Sequence, residues 1–169
     1  WLYDKLGNIY FQIRKSSQKL YTTASGHVQS GETIKQAFAR EVKEELGVSV
    51  SLEDASLVEI NAWRMDKIKN GKPFIDRAFA HVYLNKIDTD KETFNIGLDE
   101  VSGVIKVNAK ECLKLLNYEI ASINAIKITD KCENVTISII FWGYDAIFCS
   151  RMIALSASDS NIFSPSDMV

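Results

Sequence analysis

The chain has 169 residues, 46% hydrophobic and 25% charged, and 20 Lys and Arg against 22 Asp and Glu leave a formal charge of −2. That length is one globular domain, able to bury about two-thirds of its unfolded surface without a disulfide or metal staple. Eight Gly and two Pro exclude a low-complexity or collagen-like chain, and the near-neutral balance excludes a basic footprint for nucleic acid or an anionic membrane.

In chain order, a turn-like Leu6-Gly7 precedes residues 8–14, Asn-Ile-Tyr-Phe-Gln-Ile-Arg, whose β-branched and aromatic content predicts a strand. Residues 15–19 are polar and read as a loop. Residues 33–46 are helix formers without Gly or Pro, and Gly47 stands where a left-handed cap belongs, so a helix is predicted there. Residues 57–65 and 74–84 read as strands joined by a loop over 66–73, marked by Asn70-Gly71 and Pro73. Residues 101–107 are a further strand and 109–116 a short helix. The order predicts an α/β domain, a mixed sheet with helices packed on it, over residues 1–169.

From residue 134 onward only Asp145, Arg151, Asp159 and Asp167 are charged. Such a segment covers something apolar, either as a closing element of the same core or as a dimer contact, which leaves monomer and homodimer both open. Residues 156–166 are Ser-rich with Pro165, and 156–169 read as a surface loop or frayed tail. The stretch 135–149 is too short and too polar to span a bilayer. Cys112, Cys132 and Cys149 form no CxxC pair and leave one unpaired in any bridging scheme, which points to a reducing cytoplasmic compartment.

The helix over 33–46 carries the chemistry. At about 100° per residue, Ile34, Phe38, Val42 and Leu46 fall on one arc with Ala37 at its edge, a stripe expected to face the core. Glu41 and Glu45 fall within or beside that arc and Glu44 flanks it, while Gln36, Arg40 and Lys43 take the other side. Carboxylates spaced i, i+3 and i+4 repel one another, and desolvating one unpaired costs several kcal/mol. Their oxygens side by side suit Mg²⁺ or Mn²⁺ rather than a thiolate-binding metal. A solvated acidic face is the alternative; placement on the apolar side argues against it.

The spacing Gly26, five residues, Glu32, seven residues, Arg40-Glu41-Val42-x-Glu44-Glu45-x-Gly47-Val48 resembles the Nudix box. Seven fixed residues at about one in twenty each match by chance on the order of once in ten million such chains. The resemblance implies an α/β/α sandwich and a metal-dependent hydrolase that splits a small-molecule diphosphate, such as a nucleoside diphosphate linked to another moiety, with metal-activated water. It implies Glu41, Glu44 and Glu45 as metal ligands, with the Gly26 carbonyl an additional one and Mg²⁺ the expected ion. Glu32 and Arg40 would pair and hold the loop to the helix. The proton would go to a box carboxylate or to a late-loop acid, for which Asp99 and Glu100 are candidates; a solvated loop pair is the other reading.

His27 after Gly26 also resembles the isopentenyl-diphosphate isomerase branch, but Ser25 stands where that branch has a cysteine, and His27 and His81 are the sole histidines. A non-catalytic binding or regulatory module and an isomerase are therefore the alternatives to hydrolysis. Arg14, Lys15 and Lys19 are candidate phosphate contacts, the guanidinium through two parallel hydrogen bonds. Arg64 and Arg77, charges within predicted strands, could meet an anion or pair with Glu59 or Asp76. Trp63 and Phe74 could stack on a base or fill the core.

Overall fold

The computed structural model describes residues 1–88, 94–97 and 99–138. Cys149, the expected tail and most of the weakly charged C-terminal segment lie outside the described residues. Among the described residues eight strands and two α-helices, with one 3-10 turn at Leu52–Asp54, run β1 (Leu2–Asp4), β2 (Asn8–Arg14), β3 (Lys19–Tyr21), α1 (Ile34–Leu46), β4 (Ala55–Lys69), β5 (Lys72–Ile87), β6 (Val101–Asn108), α2 (Ala109–Leu116), β7 (Ser122–Ile128) and β8 (Cys132–Ser138). One sheet holds them in the order β4-β5-β1-β2-β6-β7-β8, with β3 also paired to β2. The sheet is mixed because β1 runs parallel to β5 while every other pairing is antiparallel.

Strand alternation explains the layering. On β2, Ile9 and Phe11 join Ile105 and Val107 of β6 and Cys112, Leu115 and Leu116 of α2 in one apolar cluster. Tyr10, between them, points the other way and joins Val104, Val42, Leu46 and Val48 beneath α1. The sheet thus has a helix on each side, an α/β/α sandwich. Asp4, fully buried at the β1–β2 turn, is tolerated because it accepts hydrogen bonds from Leu6 N, Asn8 N, Asn8 Nδ2 and Tyr10 Oη.

Three sequence expectations change and one of two open readings is met. The expected loop over 15–19 is a turn that returns at Lys19 into β3, with Gln18 at φ 55°. The expected eight-residue loop over 66–73 is a two-residue turn in a continuous hairpin, since Asn70 (φ 53°) and Gly71 (φ 75°) both take the left-handed conformation of a tight hairpin turn. Pro73 fits inside β5 because β1 pairs only with residues 85–87, and among the described residues no other strand bonds that edge. Ile34 is exposed rather than core-facing and Phe38 only half-buried, its ring edge-on to Tyr83 of β5 at 5.5 Å, so the buried stripe of α1 is confined to Ala37, Val42 and Leu46. The weakly charged segment begins as β8, whose Ile137 is buried in the core.

Among the described residues no helix is long and apolar enough to cross a membrane. Cys112 is buried and Cys132 exposed, and neither is in a disulfide.

Candidate metal and diphosphate site

Thr33 caps α1: its side chain accepts from Gln36 N, and Gln36 Oε1 accepts from Thr33 N at 2.8 Å. Gly47, at φ 72°, closes the helix and donates to Lys43 O. Residues 94–97 lie across that C-terminal end, where Asn95 N donates to Leu46 O and Gly97 N to Glu45 O. Carbonyls that a helix end would leave without partners are thereby satisfied, and Phe94 and Ile96 pack on the α1 cluster. The helix end, and with it Glu44 and Glu45, is held from two directions.

The loop before α1 is held by Arg40. Its Nε and Nη2 donate to Glu32 Oε1 and Oε2 at 2.8 and 3.0 Å, a two-pronged pair. Nη1 donates to Glu41 Oε1 at 2.8 Å and to Glu44 Oε2 at 3.1 Å, and Nη2 also to His27 O at 3.1 Å. One guanidinium therefore binds three glutamates and the loop backbone. The hydrogen bond from Arg40 pulls the Glu32 carboxyl down to about 2, assisted by Gln29 N–H, and the same contacts raise Arg40 above its usual range. Gly26 is needed here because a Cβ at that position would overlap the Glu41 carboxylate.

Glu45 is the exceptional side chain, only 5% exposed in the α1 cluster's flank. Its Oε2 accepts from Ser25 N at 3.1 Å and Gln12 Nε2 at 3.3 Å, whereas Oε1 is buried and has no hydrogen-bond partner among the described residues. Desolvation pushes its carboxyl up to about 7; Ser25 N–H and the Arg14 charge oppose that, and the Glu41 and Glu100 charges add to it. These same influences show that Arg14 and Glu100 lie within electrostatic reach of Glu45. Arg14, its guanidinium 5.1 Å over the Tyr21 ring, lines a cavity of about 390 Å³ with Lys15, Ser16, Asp99 and Glu100. Lys15 N donates to Glu100 O at 2.8 Å and fixes that turn against the end of β2.

The remaining candidates separate. Lys19 is exposed on β3. Arg64 and Arg77 oppose each other on β4 and β5, and neither forms a hydrogen bond or ion pair with α1. Arg64 pairs with Asp66 at 2.6 Å, not with Glu59 or Asp76, since Asp66 is two residues along on the same side of the strand. Asp76 instead accepts from Trp63 Nε1 at 3.1 Å and lies 3.5 Å from His27 Nε2, so the β4–β5 ribbon touches the loop beside Gly26. Trp63 and Phe74 are part-exposed rather than core, with the Lys67 and Lys69 ammonium groups over the Phe74 ring.

Sequence reasoning missed Gln12, the Ser25 N–H, the approach of Asp76 to His27 and the clasp of residues 94–97. Only Gln12 left a signal, a lone amide between Phe11 and Ile13 in a strand.

Among the described residues no three His, Cys, Asp or Glu side chains already stand as a metal cage. The donor chemistry nonetheless fits a hard divalent cation. Glu41, Glu44 and Glu45 bring carboxylate oxygens to one end of α1, and the buried Oε1 of Glu45 lacks the partner that a buried polar atom requires.

A sheet between two helices, with a glycine-led loop and a helix carrying a buried glutamate, defines a carboxylate-centred α/β/α domain. The chain belongs to the NUDIX family, whose NUDIX domain model matches residues 2–124. It is 30% identical over 133 residues to an uncharacterized Nudix hydrolase of Clostridium acetobutylicum, a match taking in 74% of this chain and 62% of that protein. The chain therefore spans less than two-thirds of that relative's length. Two solved structures also resemble it: one from Deinococcus radiodurans (TM-score 0.45, 22% identity, 69% of this chain and 68% of that one) and the C. elegans Ap4A hydrolase (TM-score 0.39, 20% identity, 70% and 83%). The family generally uses divalent metal ions such as Mg²⁺.

Proposed function

We propose that this chain is a Mg²⁺-dependent hydrolase of a small-molecule diphosphate, with Glu41, Glu44, Glu45 and the Gly26 carbonyl holding the metal. The observation that carries this reading is Glu45, a glutamate buried with one oxygen unpartnered inside an intact Nudix box. Burying a carboxylate costs several kcal/mol that an apolar side chain at the same position would save, so a bound cation is the physical reason to keep it. When bound, the ion would neutralise the diphosphate oxygens and lower the pKa of a water.

The side chains have distinct tasks in this reading. Arg40 aligns Glu41 and Glu44 and, through Glu32 and His27 O, keeps the Gly26 loop against the helix. Arg14 and Lys15, which line the cavity with Asp99 and Glu100, bind phosphate oxygens, the guanidinium by two parallel hydrogen bonds. Glu100, close enough for its charge to raise Glu45, takes the proton of the attacking water at its carboxylate. Lys19, paired with Arg14 across β2 and β3, and Arg77, with no ion-pair partner among the described residues, are open to anionic groups farther along the substrate, Arg77 beside Arg64. Neither described cysteine is bridged, which suits a cytoplasmic setting.

A phosphate-release assay tests this reading, coupled to a phosphatase and run on nucleoside diphosphate sugars, dinucleoside polyphosphates, coenzyme A and isopentenyl diphosphate with Mg²⁺, Mn²⁺ or chelator. The expected result is metal-dependent release from one substrate class. Release from none of them, while Mn²⁺ binds, would overturn hydrolysis in favour of a ligand-binding module.

A further inference from the structure

Gln12 lies in the middle of β2 with no exposed surface, on the α1 side of the sheet next to Tyr10. A primary amide there must satisfy two donors and an acceptor, and an apolar side chain of the same length would avoid that cost. Its Nε2 donates to Glu45 Oε2 at 3.3 Å, while its own Oε1 is buried without a partner. Since Ser25 N donates to the same Glu45 oxygen at 3.1 Å, both donors converge on Oε2, and none among the described residues reaches Oε1.

We infer that Gln12 is a positioning residue for metal binding: with the Ser25 N–H it holds Glu45 Oε2, leaving Oε1 as the one oxygen that Glu45 presents to a divalent cation. This rests on the metal-site reading above and concerns how one ligand is oriented. A carboxylate free at both oxygens can turn about its last torsion and offer either atom, or both; two hydrogen bonds to one oxygen fix its plane. The donors are neutral, so they orient the carboxylate without cancelling the charge that attracts the cation. A cationic side chain in the place of Gln12 would orient Glu45 equally well but compete with the metal.

The test is Mn²⁺ affinity of the full chain, read by the electron paramagnetic signal of free Mn²⁺, for wild type, Gln12→Met, Glu45→Gln and the double variant. Gln12→Met keeps the length of the side chain and removes the amide; Gln12→Leu serves if that variant does not fold. Because outer partners of metal ligands typically contribute 10–100-fold in affinity, Gln12→Met is expected to weaken Mn²⁺ about tenfold or more. In the Glu45→Gln background it should add nothing, because the residue acts through Glu45. Unchanged affinity, or an equal loss in both backgrounds, overturns the inference, as does an Mn²⁺-bound structure in which Glu45 meets the ion through Oε2. Turnover by a wild type whose Mn²⁺ affinity ignores Gln12 would overturn this inference alone. Gln12-dependent Mn²⁺ binding without turnover of any diphosphate would overturn the hydrolase reading alone.

Discussion

Helix α1 keeps a glutamate almost wholly out of water, at 5% exposure, while the β4–β5 ribbon holds Phe79 at 75% exposure in it. Of the large apolar side chains exposed among the described residues, Leu57, Ile60, Trp63, Ile68, Phe74, Ile75 and Phe79 all lie on that ribbon. The two departures from hydrophobic-inside packing differ in cost. An exposed apolar side chain forgoes roughly 2 kcal/mol of burial and is common on protein surfaces. A buried carboxylate without a counter-ion costs several kcal/mol and is rare. The expensive departure therefore marks the chemistry, and the cheap one reflects a two-stranded ribbon that has outrun the sheet, paired to β1 only at residues 85–87.

Substitutions can break that comparison, and the largest effects belong to α1. Glu41→Gln should lower Mg²⁺-dependent turnover by more than about a hundredfold, since even the outer partners of metal ligands are worth 10–100-fold. Gly26→Ala should do the same by forcing a Cβ into the Glu41 carboxylate; steady-state kinetics with circular dichroism as a folding control checks both. Arg40→Lys should cost about ten- to a hundredfold, because one ammonium cannot replace a fork that binds Glu32, Glu41, Glu44 and His27 O together.

The third effect is on stability. Glu45 titrates at about 7 in the fold against an ordinary value of 4.5, so the native state binds its proton more tightly than the unfolded chain. The stability it contributes is complete below about pH 4.5 and is lost as pH rises through 7, an effect of up to about 3 kcal/mol in the metal-free protein. Urea unfolding in chelator from pH 5 to 8, compared between wild type and Glu45→Gln, should show the difference widening with pH. Ribbon changes come last: Phe79→Ser or Ile75→Thr should shift the unfolding free energy by no more than about 0.5 kcal/mol.

The same contrast explains what the sequence revealed. Helix α1 was legible because its determinants are local: Thr33, Gln36 and Gly47 set its ends, and the Glu spacing sets which carboxylates share a side. The ribbon was only half legible. Its outer part, residues 61–80, is exposed or half-buried on both faces and has no regular alternation of burial to read, so Lys67 to Lys69 read as loop although they pair with Lys72 to Phe74. The three-residue strands β1 and β3 are too short to carry any alternation. Gln12 and Glu45 stand 33 positions apart, and only the packing of β2 beneath α1 brings the amide to the carboxylate.

The most direct measurement takes one variant, Glu45→Gln, and reads melting temperature without metal at pH 8 alongside turnover in saturating Mg²⁺. Turnover should fall at least about a hundredfold while the metal-free protein melts higher than wild type, because the desolvated charge is gone. Wild-type turnover, or a lower melting temperature, would contradict the claim that Glu45 is buried for a cation and against stability.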